Sequence, residues 1–164
     1  MKESINKIFN HFKIHTQYSI CEGAIKIDQL KDFCKKNKIK SLGLSDTHNL
    51  SGALEFSENL SSVGTQPIIG CQILFKFRAF KGLIPLIAKN YEGYKNIIKL
   101  SSKSYLNNSD ANIPYCEIGD LANSSNGVIV LTGSIRCMFG SLFNKGLFNE
   151  MEEILINLKE KFVD

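Results

Sequence analysis

Short apolar runs alternate along this chain with stretches in which apolar side chains recur every three or four residues. That alternation restricts it to βα units packed as an α/β layer or barrel. The strand-like runs fall at residues 9–15, 40–45, 67–77, 83–88 and 127–132, with a hairpin-like return between the third and fourth. Helical spacing is carried by Ile27, Leu30, Phe33 and Cys34, by Ala53, Leu54, Phe56 and Leu60, by a segment from Tyr91 through Tyr105, and by Met151, Ile154, Leu155 and Leu158. Asp28 near the start of the first of these, with Lys35, Lys36 and Lys38 at its end, suits the helix dipole. Short helices are expected at 118–121 and just after Arg136, and the polar stretch 107–112 (NNSDAN) is expected to be a loop. About five or six strands are visible, whereas a closed (β/α) barrel commonly takes roughly 200 residues or more. The expectation is therefore a single domain over residues 1–164 that is the incomplete, N-terminal portion of a barrel in a longer polypeptide.

With 43% hydrophobic and 22% charged residues, a chain of 164 residues can bury a sizeable core, which excludes intrinsic disorder. Twenty basic against 16 acidic residues give a net charge of +4, an ordinary lysine-rich surface rather than a dedicated DNA-binding patch. The five cysteines, Cys21, Cys34, Cys71, Cys116 and Cys137, form no CxxC pair and are odd in number, so reduced, half-buried thiols of a cytoplasmic protein are expected. Neither a leader-like apolar segment nor a run near the roughly 18 apolar residues of a membrane span is present, and no membrane partner is expected.

Two polar constellations stand at strand ends. On an extended segment His11, Lys13 and His15 project to one side. Two histidines four strand residues apart are separated by roughly 13 Å, too far to share one ion, and the lysine between them has no lone pair and repels a cation. Hydrogen-bonded surface histidines are the simpler reading. Asp46-Thr47-His48 offers a carboxylate and an imidazole where a strand meets a loop, a pairing able to bind metal or move a proton, although Asp and Asn in loops more often cap or turn the backbone. The sequence contains no P-loop, dinucleotide fingerprint or nucleophile elbow.

The string HFKIHTQYSICEGA, followed in order by SLGLSDTHNLSGALEFSENLSSVGTQPIIGCQI, LIPLIAKNYEGYKNIIKLSSKSYL and GVIVLTGS, resembles the PHP (polymerase and histidinol phosphatase) domain of bacterial DNA polymerase III alpha subunits. The four segments span roughly residues 9–140. The resemblance implies a distorted (β/α) PHP barrel ahead of a polymerase core. In active members a cluster of metal ions held by histidines, acids and a cysteine hydrolyses phosphoesters. Only His15 and Asp46 keep a ligand type here. Lys13 stands for a histidine, Thr47 for the histidine after the aspartate, Gln72 for a glutamate, Leu83 for a histidine and Ser134 for the cysteine, while His48 falls on the family's glycine.

The resemblance therefore implies no catalytic residue and no metal in this segment, with magnesium belonging to the absent polymerase core. This pattern is like that of proteobacterial alpha subunits. The expected partners are the polymerase core of the same chain, the proofreading exonuclease subunit, other replisome subunits, and DNA through the full-length protein. The leading expectation is a non-catalytic structural and docking module. The alternative is an active metal-dependent phosphoesterase or 3'-5' exonuclease using His11, His15, Asp46 and His48, and a free-standing nucleic-acid binder ranks below both.

Overall fold

A computed structural model describes residues 9–106 and 113–162. The order of elements is α1 (Ile27–Asn37), β1 (Ser41–Thr47), α2 (Ala53–Ser61), β2 (Gln66–Phe77), β3 (Phe80–Ala88), α3 (Tyr91–Leu106), β4 (Cys116–Glu117), α4 (Ile118–Ala122), β5 (Val128–Val130), α5 (Met138–Asn144) and α6 (Phe148–Lys161). This is the expected α/β alternation, and it builds one open five-stranded sheet.

The long β2 organises that sheet. Its first half pairs in parallel with β1, Ser41 opposite Gln66 through Thr47 opposite Gln72. Its second half pairs antiparallel with β3, Gly70 opposite Ile87 through Phe77 opposite Phe80. A strand has only two edges, so the two-residue β4, parallel to Phe75 and Lys76, continues the β1 edge of β2. β5 adds antiparallel to the far side of β3. The β2–β3 return is a two-residue hairpin, tighter than the sequence suggested, with Arg78 at φ 54°. The Arg78 guanidinium grips both carboxylate oxygens of Glu153 on α6 at 2.7 and 2.9 Å.

One face of the sheet carries the core. Cys71, Ile73 and Phe75 of β2 and Ile84 and Leu86 of β3 alternate inward against Ile97 and Leu100 of α3, Leu121 of α4, Leu142 of α5 and Ile154 of α6. Leu42 and Leu44 continue that face onto β1, where they meet Ile27 and Leu30 of α1 and Phe56 and Leu60 of α2. The helices turn slightly differently from their apolar patterns. Phe33, Leu54 and Leu155, each expected on a buried stripe, are exposed, because each helix buries a narrower stripe than its apolar pattern offers. Four cysteines are buried rather than half-buried, and Cys21 is exposed. The expected loop at 107–112 lies outside the described residues.

Residues 9–15 are not the regular strand their alternation predicts. Among them only Ile14 forms a bridge, parallel to Leu44, and the segment is held beside β1 by Gly43 N–H donating to His11 C=O at 2.6 Å and Ser45 N–H donating to Ile14 C=O at 2.8 Å. The cause is at Gly43. A Cβ there would stand 2.6 Å from Phe12 Cα and 2.9 Å from Phe12 O, so the first segment rests on β1 through the missing side chain. Gly43→Ala should therefore push the segment away and lower unfolding stability by about 1–3 kcal/mol, read as a reduced urea midpoint.

Candidate functional site

Asp46 sits fully buried near the C-terminal end of β1. Its Oδ1 accepts from Thr16 N–H at 2.6 Å and from the Ser19 hydroxyl at 2.7 Å, and its Oδ2 accepts from the Thr16 hydroxyl at 2.7 Å. A buried carboxylate needs such donors to offset lost hydration. Thr16 and Ser19 are themselves fully buried, and Ser19 Oγ in turn accepts Thr47 N–H at 3.0 Å. The turn is closed by Ser19 N–H donating to Thr16 C=O, by Gly23 N–H donating to Ser19 C=O, and by Gln17 N–H donating to Ile25 C=O. Asp46 thus faces the helices as an anchor for the loop after the first segment.

Thr47, one residue on, points to the opposite face, where its cross-strand neighbour is Gln72. There a continuous polar chain runs. The Thr47 hydroxyl donates to the Glu22 carboxylate and accepts from Gln72 Nε2 at 3.3 Å, and Cys137 Sγ donates to Gln72 Oε1 at 3.9 Å. Lys13 Nζ donates to the same sulfur at 3.5 Å, and Ser134 Oγ lies 3.8 Å from it. The structure therefore brings together Lys13, Thr47, Gln72 and Ser134, four of the substituted positions. Leu83 lies on the same face, half-buried opposite Leu74, one pleat beyond the Gln72–Pro85 pair.

Among the described residues the histidine side chains do not join this chain by any hydrogen bond. His11 is exposed, its ring edge-on to Phe9 at 4.6 Å. His15 and His48 each bury Nδ1 without a hydrogen-bond partner. His48 has φ 63°, a left-handed conformation that accounts for the glycine of the family pattern at this position. Its N–H donates to Gln72 C=O at 2.8 Å, which ties the turn to β2.

Cys137 is the site residue that sequence reasoning missed. It follows the expected cysteine position, Ser134, by three residues, and the signal lay in Gly133, just before that position. Gly133 has φ +77°, and a Cβ on it would stand 2.5 Å from Cys137 Sγ. Cys137 N–H donates to Ser134 C=O at 2.8 Å, so the loop doubles back and returns the thiol to the place that Ser134 vacates.

A metal cluster of the kind held by active members of the family that the sequence resembles does not fit these donors. Among the described residues no three His, Cys, Asp or Glu side chains converge. Lys13 brings positive charge to the Cys137 end of the polar chain, Thr47, Gln72 and Ser134 are neutral and weak ligands, and three of the roughly four lone-pair sites of Asp46 are taken by hydrogen bonds.

Two outcomes test this geometry. Asp46→Ala strands the buried Thr16 N–H and both hydroxyls, so stability should fall by at least about 3 kcal/mol, measured by urea unfolding. Burial lowers the His48 pKa below the ordinary 6.5, with the Glu22 charge opposing. In the window just below 6.5 the unfolded chain then binds the proton more readily. The contribution is full above that pH and is lost as pH falls. His48→Asn, which tolerates the left-handed backbone, should flatten the acid-side decline between about pH 7 and 5.

Residues 11–164 match the PHP domain family. The DNA polymerase III subunit alpha of Caulobacter vibrioides is 33% identical over 172 aligned residues, covering 100% of this chain and 15% of that protein. The same subunit of Haemophilus influenzae is 31% identical, covering 95% of this chain and 14% of that protein, and that of Borreliella burgdorferi is 30% identical, covering 97% and 15%. The chain spans about 15% of the length of the curated relatives it matches. With the family match running from His11 to Asp164 across the whole sheet and the polar chain on it, the protein belongs to the PHP domain family.

Proposed function

We propose that this chain is the PHP domain of a replicative DNA polymerase III alpha subunit, and that it acts as a structural and docking module without phosphoester hydrolysis of its own. The observation that carries the reading is the hydrogen-bonded chain through Thr47, Gln72, Cys137 and Lys13, which spends on one another the side chains that would otherwise face a metal cluster. The alpha subunits of the three bacteria named above supply the polymerase context. In this reading the domain supports the polymerase core of the same polypeptide, in whose active site magnesium works, and holds the proofreading exonuclease subunit. Contact with DNA and with the other replisome subunits belongs to the full-length protein in the cytoplasm. Among the described residues no helix is long and apolar enough to cross a membrane.

The test is made on the full-length subunit. After dialysis against micromolar zinc and manganese, elemental analysis should find no ion that His15→Ala removes, and a phosphomonoester should not be hydrolysed. Hydrolysis that scales with bound metal would overturn the reading. The second reading, an active phosphoesterase or exonuclease, is favoured by one observation, the two buried and unpartnered Nδ1 atoms of His15 and His48. It requires hydrolysis that His15→Ala and His48→Ala each abolish.

A further inference from the structure

The net charge of +4 is not spread over the surface. Residues 26–40, which are α1 with its two flanks, hold six lysines, Lys26, Lys31, Lys35, Lys36, Lys38 and Lys40, against Asp28 and Asp32. That excess equals the charge of the whole chain, so everything outside the segment sums to neutral. Five of the six lysines are exposed and Lys31 is half-buried. Among the described residues none of the six has a carboxylate partner, whereas Lys76, Arg78, Lys95 and Lys103 each have one. The helix dipole accounts for Lys35 and Lys36 in the last turn of α1. On α6 the same dipole is met by Lys159 and Lys161, but there four glutamates share the helix. The dipole does not account for Lys38. That residue caps α1 at φ 52°, the left-handed conformation in which glycine is ordinarily favoured, and keeps a charged side chain there.

We infer that α1 and its flanks form a contact surface for the sugar-phosphate backbone of double-stranded DNA. The inference rests on the reading above that the chain is part of a polymerase subunit, and it places one of the full-length protein's DNA contacts on this domain. Ammoniums without carboxylate partners displace condensed counterions when they meet a polyanion, and that release drives binding. Lysine is a compact point charge, which positions a phosphate without reading a base. An acidic protein partner fits less well. Protein interfaces are depleted in lysine and enriched in arginine and aromatic anchors, whereas this segment has no arginine and Phe33 is its single aromatic side chain. Single-stranded DNA also fits less well, because its bases stack on successive aromatic rings and α1 offers one.

The experiment is a titration of a labelled duplex with the full-length protein at increasing salt, read by fluorescence anisotropy. Each phosphate contact contributes about 0.9 to the slope of log affinity against log salt. Lys35→Gln/Lys36→Gln/Lys38→Gln/Lys40→Gln should make that slope shallower by about 2–4, equally for duplexes of unrelated sequence. Low-salt binding should weaken ten-fold or more. An unchanged slope, in a parent that does bind the duplex, overturns this inference alone. Lys159→Gln/Lys161→Gln on α6 should leave the slope as it is, and an equal loss per lysine there overturns the assignment to α1. Lys38→Gly separates charge from backbone, since glycine suits the left-handed cap. Its thermal midpoint should hold or rise while the slope falls by about one contact's worth, and a slope equal to the parent's overturns the role of Lys38. Polyglutamate that displaces the duplex as readily as unlabelled duplex of equal charge assigns the surface to an acidic protein and overturns the inference. A parent that binds no duplex overturns both this inference and the polymerase reading.

Discussion

The buried carboxylate of Asp46 is the constraint on which the arrangement around it depends. It has no ion-pair partner among the described residues and is stabilised by three short hydrogen bonds, all from Thr16 and Ser19. Because those donors belong to the turn that follows the first segment, satisfying the carboxylate fixes that turn on the end of β1. The fixed turn in turn sets Ser19 under Thr47 N–H, brings Glu22 to the Thr47 hydroxyl, and leaves Lys13 directed at Cys137. A polar residue on the core face thus dictates what meets on the opposite face.

That division of faces separates stability from chemistry at adjacent positions. Asp46 retains an acidic side chain for a reason of packing, since no neutral residue of its size could accept all three donors as strongly. Thr47 beside it is free of that duty and joins a polar chain that runs from the Glu22 carboxylate to the Lys13 ammonium. Sequence similarity in the Ser-Asp-Thr-His stretch therefore reports the anchor more directly than it reports a reaction. Gln72 repeats the pattern on β2, where the preceding Cys71 belongs to the core and its thiol pKa is pushed up to about 12, chiefly by burial.

Much of the fold was legible because apolar periodicity and burial coincide where an element is long. α1, α2, α3 and α6 and the strands β1 to β3 fall where Leu30, Phe56, Ile97, Ile154 and the run from Ile68 to Phe77 place them. Alternation misled at residues 9–15, since whether a short alternating run becomes a ladder strand depends on its neighbour, and the neighbour is a glycine at position 43 that admits backbone instead. The two-residue β4 carries no periodicity to read. At the site, the resemblance located Lys13, Thr47, Gln72 and Ser134, but the return of Cys137 depends on a left-handed glycine and a loop path that linear order hides.

The contact between Lys13 and Cys137 joins residues 124 apart in the chain. Closing so long a loop has an entropic cost that contacts formed early cannot repay, because nothing on the far side yet exists to bind. During synthesis the hairpin of β2 and β3 and the parallel pairing with β1 can be in place while the loop carrying Cys137 is still unmade. The Lys13 ammonium must then stay solvated until the loop carrying Cys137 has emerged, although Gly43 and Asp46 can already hold the backbone around it against β1. At this site the backbone is placed early and the side-chain contact closes late.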